Sequence, residues 1–434
     1  MRTLLLVLLF GILLSSCSKQ SIAQTGTLSV AEAAQAVNDE VIEWRRHFHE
    51  NPELSNREFE TAKSIEQYLR GLGLEVKTGM AHTGVIGYLE GGQPGPTIGL
   101  RADIDGLPVT ERVDIPFASK KTTTFLGKET GVMHACGHDT HIAMLMGAAK
   151  ILSERKAQLR GNVVFIFQPA EEGAPPGEEG GAELMVKEGL FDLYPIEVVF
   201  GQHISAGTDV GTIEYRKGGI MAASDRFEIT INGKQTHGSR PWAGIDPVTV
   251  SAQMILALQN IVSRQTELTK EAAVISVGKM EAGVRSNIIP ESATLIGTIR
   301  TLDVGMQQKI HEDIRRVVKN VAEAYNAEAE IDIQIGYPVT FNDHELTEKM
   351  LPSLQKSGNV NEINAITGAE DFSFFAMQVP GLYFFVGGKP LDVAKKDAAP
   401  HHTPDFYLDE TGMQTGVQAL VNLTLDYMDM KASN

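Results

Sequence analysis

Ser29 with Glu32 makes a capping-box pattern ahead of a helical stretch that runs to about residue 49. Beyond it, short apolar runs of strand type at 97–100, 163–167, 197–200 and 382–386 alternate with helix-like segments, which predicts an α/β sheet. Polar residues able to do chemistry follow most of these runs: Asp103 and Asp105, Glu171 and Glu172, then His203. Open α/β sheets bind ligands beyond the carboxyl ends of their strands, so these endings predict a site.

The pattern changes at about residue 218. Residues 227–231 alternate as a half-buried strand does, and Asp246-Pro247 opens a helix to about 262 with an N-cap and an N1 proline. Residues 274–277 and 293–299 read as strands, 303–325 as a long amphipathic helix, and 329–335 alternate again. The order β-α-β-β-α-β is the ferredoxin-like split arrangement. The expected fold class is therefore α/β, a mixed sheet flanked by helices, carrying an inserted ferredoxin-like α+β domain. The expected boundaries are 29–217 and 338–434 for the main domain and 218–337 for the insert. No period of 20–50 residues repeats, which excludes solenoids and propellers.

The first residues read as an address. Arg2 precedes an apolar run, 4–14, too short to span a bilayer, as in a secretory signal. The run ends in LSSC at 14–17, a pattern similar to the lipobox of bacterial lipoproteins. It predicts removal of residues 1–16, lipidation of Cys17 and a polar tether over 17–28, hence an exported protein held to a membrane by lipid alone. Cys136 is then the one other cysteine, so no internal disulfide can form and a core built from about 400 residues must hold the fold.

Composition narrows the partners. The 434 residues carry 38 Lys+Arg against 55 Asp+Glu, a formal charge of −17, which leaves no broad basic field for nucleic acid. Apolar residues at 42% and charged residues at 21% describe an ordinary globular chain.

Exposed or capping histidine is the default for each of the twelve, and His311 and His344 keep it. Others keep suggestive company. HACGHD at 134–139 places a thiol and an imidazole, Cys136 and His138, two residues apart at the mouth of a helix. Both are good ligands for zinc-like metals, and the helix N-terminus favours an ionised Cys136; an inert buried cysteine is the alternative. QPAEE at 168–172 ends the most apolar strand. Two acids at i and i+1 on extended backbone point to opposite sides, so one can bind metal while the other handles a proton. A solvated pair is the alternative, and it suits Glu178 and Glu179. His203 and the pair His401 and His402 complete a set of Cys, His, Glu, His and His from separated loops, enough for two metals. No His-Glu-x-x-His occurs, since Arg315 stands where the second histidine would be, and G-x-S-x-G, Walker and G-x-G-x-x-G signatures are absent.

These motifs, in this order, resemble the amidohydrolase branch of the aminoacylase–carboxypeptidase metallopeptidases, which includes N-acyl-amino-acid, hippurate and auxin-conjugate hydrolases. Further markers are RRHFHENPE at 45–53, LRADIDGLP at 100–108, GIDP at 244–247, NIIP at 287–290, GTIRT at 297–301 and GAEDF at 368–372. The resemblance implies two divalent ions (Zn, Mn, Co or Ni) held by Cys136, His138, Glu172, His203 and His402, with Cys136 bridging. It implies Glu171 as general base and Asp105 as the residue that orients a ligand. It makes the insert a lid that also forms a homodimer, with His237 reaching a substrate, often across the dimer. Asn287 and Arg300 become contacts to the carbonyl and carboxylate of a small amide substrate. The implied activity is hydrolysis of N-acyl amino acids or similar amide conjugates by an activated water. An exported dipeptidase or carboxypeptidase with the same metals, or a non-catalytic metal-holding surface protein, is the alternative. Two features depart from the family pattern: a longer, more acidic loop at 173–181, and Gln202 where many members have leucine.

Overall fold

The computed structural model describes residues 28–433. The expected signal, Cys17 and nearly all of the tether lie outside them. Helix Val30–Glu50 begins where its cap requires: Ser29 Oγ accepts from Glu32 N at 3.2 Å, and Ser29 N donates back to Glu32 Oε2 at 2.9 Å.

An eight-stranded mixed sheet forms the main layer. Its order is Glu75–Met80, Gly84–Leu89, Arg160–Gln168, Gln93–Asp103, Ile196–Asp209, Gly381–Lys389, Thr212–Tyr215, Asn359–Glu362. The four central strands, from Arg160–Gln168 to Gly381–Lys389, run parallel, and antiparallel pairs flank them. Parallel strands are covered on both faces, which explains why Gly381–Lys389 is buried at every position and why its residues 382–386 read as an unbroken apolar run. Helices Val30–Glu50, His138–Glu154 and Met413–Ala432 cover one face, joined in a cluster that includes Phe48, Ile142, Leu145 and Leu420. Gly181–Lys187 and Phe372–Ala376 cover the other, around Met185, Phe372 and Phe375.

The insert has its own apolar cluster, built from residues between Phe227 and Ile333. Its four strands lie in the order Ala273–Ala282, Ser292–Thr301, Ala223–Asn232, Glu328–Tyr337, each pair antiparallel, which is the ferredoxin-like topology. Ala223–Asn232 alternates buried and half-buried residues, as its sequence does. Asp246 and Asp303 cap the two helices Pro247–Asn260 and Val304–Ala324, accepting from Val248 N at 2.9 Å and Met306 N at 2.8 Å. The two crossings of the chain lie side by side, since Gly218–Met221 pairs with Thr340–Asn342. Among the described residues no helix is long and apolar enough to cross a membrane.

His311 departs from its expected exposed setting. Its Nε2 lies 2.7 Å from Asp225 Oδ2 and its side chain is largely buried, because Asp225 projects from the central strand of this sheet toward the helix that carries His311.

Candidate metal centre and active site

The HACGHD turn works because of its glycine. Gly137 has φ +98°, and a Cβ there would come within 2.4 Å of Ile204 Cγ2. Glycine alone accommodates that backbone at that distance. The turn presses against the strand that carries His203, so Cys136 Sγ lies 3.3 Å from His203 Nε2 and 3.1 Å from His402 Nε2.

His138 opens the helix His138–Glu154. Its Nδ1 faces Asp105 O at 2.9 Å and Asp105 Oδ1 at 3.1 Å. That leaves Nε2 directed into the site, 3.8 Å from Glu171 Oε2 and 3.9 Å from Glu172 Oε1, buried and without a hydrogen-bond partner. Asp105 also accepts from Ser55 Oγ at 2.7 Å and from Glu172 N at 3.0 Å, so one carboxylate fixes an imidazole and the neighbouring acidic residue together.

The expectation that Glu171 and Glu172 point apart is corrected here. The strand ends at Gln168 and Ala170 turns the chain with φ +54°, so the backbone is not extended and both carboxylates face the same His138 nitrogen. Ala170 and His402 (φ +63°) are non-glycine residues held in the left-handed region, a strain that persists only where surroundings enforce it. Ala170 N donates to Glu58 Oε1 at 3.0 Å, and His402 N donates to Ala135 O at 2.8 Å.

Charge is unbalanced in this space. Burial pushes the Glu171 carboxyl well above its ordinary range, and Glu370 and Glu172 add to it. Burial also pushes the Cys136 thiol up, with Glu172 and Glu171 adding. Burial disfavours a charged His138, yet Asp103 and Asp105 raise it to about 10.

The residues fit a pair of cations. Ligand atoms of Cys136, His138 and His203 lie within 4.8 Å of one another, and so do those of Cys136, Glu172 and His402. Cys136 belongs to both groups, as a bridging thiolate must. The orphaned His138 Nε2 faces the first group, and positive charge would relieve the crowding of thiol and carboxylates. A cavity of about 380 Å³ opens on these donors and is walled by Tyr337, Met221, Ile366 and Phe385.

Around the donors stand residues with no functional reading in the sequence, and His401, read there with His402 as a possible ligand, has both ring nitrogens engaged by backbone. His141 bridges Asp103 Oδ1, at 2.5 Å from its Nδ1, and Ile204 N, which donates to its Nε2 at 2.7 Å. His401 repeats the device: Nδ1 lies 3.0 Å from Cys136 O, and Nε2 accepts from Ala206 N at 3.0 Å. The pairing of Ile196–Asp209 with Gln93–Asp103 stops at Gly201, so the two imidazoles continue the ladder with alternate amides just after His203. Arg101, fully buried, contacts Asp103 at 2.7 Å, Glu370 at 2.8 Å and Asp371 at 2.9 Å. Tyr383 Oη donates to Glu370, and Tyr337 Oη donates to Glu171 O at 2.7 Å.

His237, Asn287 and Arg300 do not line the cavity that opens on the donors. His237 and Asn287 are exposed and adjacent on the insert, where Gly238 N donates to Asn287 O at 2.8 Å. Arg300 lines a separate hollow of the insert's sheet with Ser224 and Lys279 and donates to Ile299 O at 3.1 Å.

Residues 99–426 match the peptidase family M20/M25/M40, and the chain belongs to that family. It is 40% identical to thermostable carboxypeptidase 2 of Saccharolobus solfataricus over 90% of this chain and 96% of that one. It is 36% identical to N-acetylcysteine deacetylase of Bacillus subtilis over 91% and 98%. A Bacillus subtilis crystal structure described as a dinuclear metal-binding peptidase of family M20 superposes with a TM-score of 0.77 at 34% identity, covering 91% of this chain and 99% of that one. Like these relatives, the chain is a metal-dependent hydrolase of the amidohydrolase and peptidase kind.

Proposed function

We propose that this enzyme hydrolyses the amide bond of N-acyl amino acids or similar small amide conjugates, with Glu171 moving the proton. Two overlapping donor groups that share Cys136, with the buried Glu171 carboxyl beside them, carry the reading. Cys136, His138 and His203 would hold one divalent ion (Zn, Mn, Co or Ni), and Cys136, Glu172 and His402 the other. When bound, such a pair acidifies water and polarises an amide carbonyl.

The chain's own residues do the rest. Asp105 holds His138 Nδ1 and so keeps its Nε2 free for ligation. Glu171 takes a proton from water at a carboxylate oxygen and returns it to the leaving amine; burial beside Glu370 makes it a ready proton holder. His141 and His401 fix the backbone after His203, which keeps the donors from drifting. His237 would donate to the developing oxyanion from the insert of a second copy, with Asn287 beside it; their exposure, and their absence from the lining of the donors' cavity, support a homodimer built through that domain. Arg300 is the weaker candidate for the substrate carboxylate.

Carboxypeptidase or dipeptidase activity is the second reading, favoured by the 40% identity to a carboxypeptidase. A panel of N-acetyl and N-benzoyl amino acids beside dipeptides separates the two. Faster turnover of acyl amino acids supports the amidohydrolase reading, and preference for dipeptides moves the enzyme to the peptidase branch. We also infer export with a lipid on Cys17; a Cys17→Ser chain should take up no lipid label, and retained label would refute it.

A further inference from the structure

A second hollow, of about 540 Å³, lies against the metal donors and shares Glu172 with their cavity. That volume suits one group of a small organic ligand. Two surface segments wall it, residues 123–126 of the hairpin Thr122–Phe125 and Lys128–Gly131 and the long loop after Glu172, and residues 54, 55, 57 and 106–108 complete the lining. Leu54, Leu107, Phe125, Leu126, Pro175 and Pro176 give it an apolar lining.

The hairpin tip is built against local preference. Leu126 and Gly127 both lie in the left-handed region, at φ +49° and +78°. Such two-residue turns favour Asn-Gly, and leucine there is strained. Leu126 is also 71% exposed, so burial in the fold does not account for it. A strained apolar side chain over the mouth of an apolar hollow, next to reacting groups, points to a ligand that it covers.

Charge decides which part of a substrate fits. Among the described residues Arg57 is the one cation lining the hollow, and Glu178 holds it in an ion pair at 2.5 Å. Glu172 stands at the hollow's inner end, and Glu178 and Glu179 follow in the loop. A free carboxylate would meet repulsion there, whereas an uncharged chain would not.

We propose that this hollow is the acyl subsite: it takes the apolar acyl group of the amide substrate, and Leu126 closes over that group. The inference rests on the amidohydrolase reading above. It is tested by calorimetric binding of the straight-chain acids acetate to octanoate to the metal-loaded protein, with wild type and Leu126→Asn. Asparagine suits the left-handed turn, so the hairpin persists while the apolar cover is lost. Affinity should rise about 4-fold for each methylene that enters the hollow. The octanoate-to-acetate affinity ratio should fall about 10-fold in the variant, roughly the loss of one or two methylenes of contact. Affinity independent of chain length, or a ratio unchanged by Leu126→Asn, would overturn the proposal. Rates on N-acetyl to N-octanoyl glycine separate the two readings. A length-dependent affinity without turnover of any acyl amino acid keeps the subsite and refutes the function, and turnover without length dependence does the reverse.

Discussion

The floor of the site and the exposed part of the insert handle polar groups in opposite ways. At the floor, Asp105, His141 and His401 each engage several partners, and Arg101 is shut in among three carboxylates. On the insert, the His237 ring is held, among the described residues, by its near neighbour Ser239, with Nδ1 at 3.1 Å from the backbone N and 2.8 Å from Oγ, and Asn287 is exposed. The floor is preorganised to hold positive charge and a reacting water. On the function proposed above, the exposed groups of the insert would act only once a substrate or a second chain reaches them.

If that division is right, a floor residue that moves the proton should matter most. Glu171→Gln keeps the shape and removes the proton carrier, so kcat should drop by about 10³-fold or more while metal content stays at wild-type level. Near-normal kcat in a fully metal-loaded variant would break the assignment. His237→Ala should cost about 10²-fold in kcat with melting temperature and metal content unchanged. Coexpressing His237→Ala with Glu171→Gln chains sharpens the comparison. Activity should reappear in the mixture if His237 serves the partner's site, and its absence would confine the residue to its own chain.

The smallest effect concerns pH and stability. Burial, with Asp105 adding, pushes the Glu58 carboxyl up from 4.5 to about 8. A carboxyl raised in this way holds its proton in the folded state while the unfolded chain has lost it. Its contribution is complete below about 4.5 and disappears as pH rises through 8. Glu58→Gln cannot ionise. Its melting temperature should therefore gain on wild type as pH rises from 4.5 to 8, and a constant gap would show that Glu58 does not titrate there.

The floor and the insert differed in how legible the sequence made them. The insert's topology was readable because alternation in 227–231 and 329–335 marks strands whose two faces differ. HACGHD, the acidic pair and the late histidines stood out because reactive groups cluster after apolar strands. The relative aim of Glu171 and Glu172 was not readable, since it depends on the turn at Ala170 and on the bond from its amide to Glu58. Arg101 looked like part of a motif. Its partners Glu370 and Asp371 lie 269 and 270 residues away, a pairing that leaves no local signature. The hairpin around Leu126 was also missed, although its run of threonines and Gly127 were a usable hint.

The central claim is that Cys136 is shared by two ions, and metal stoichiometry of Cys136→Ala tests it most directly. Wild type loaded with zinc or manganese should hold two ions per chain by elemental analysis. The variant, folded as judged by its melting curve, should lose affinity at both sites and retain fewer than one. Two ions still bound with wild-type affinity would contradict the account.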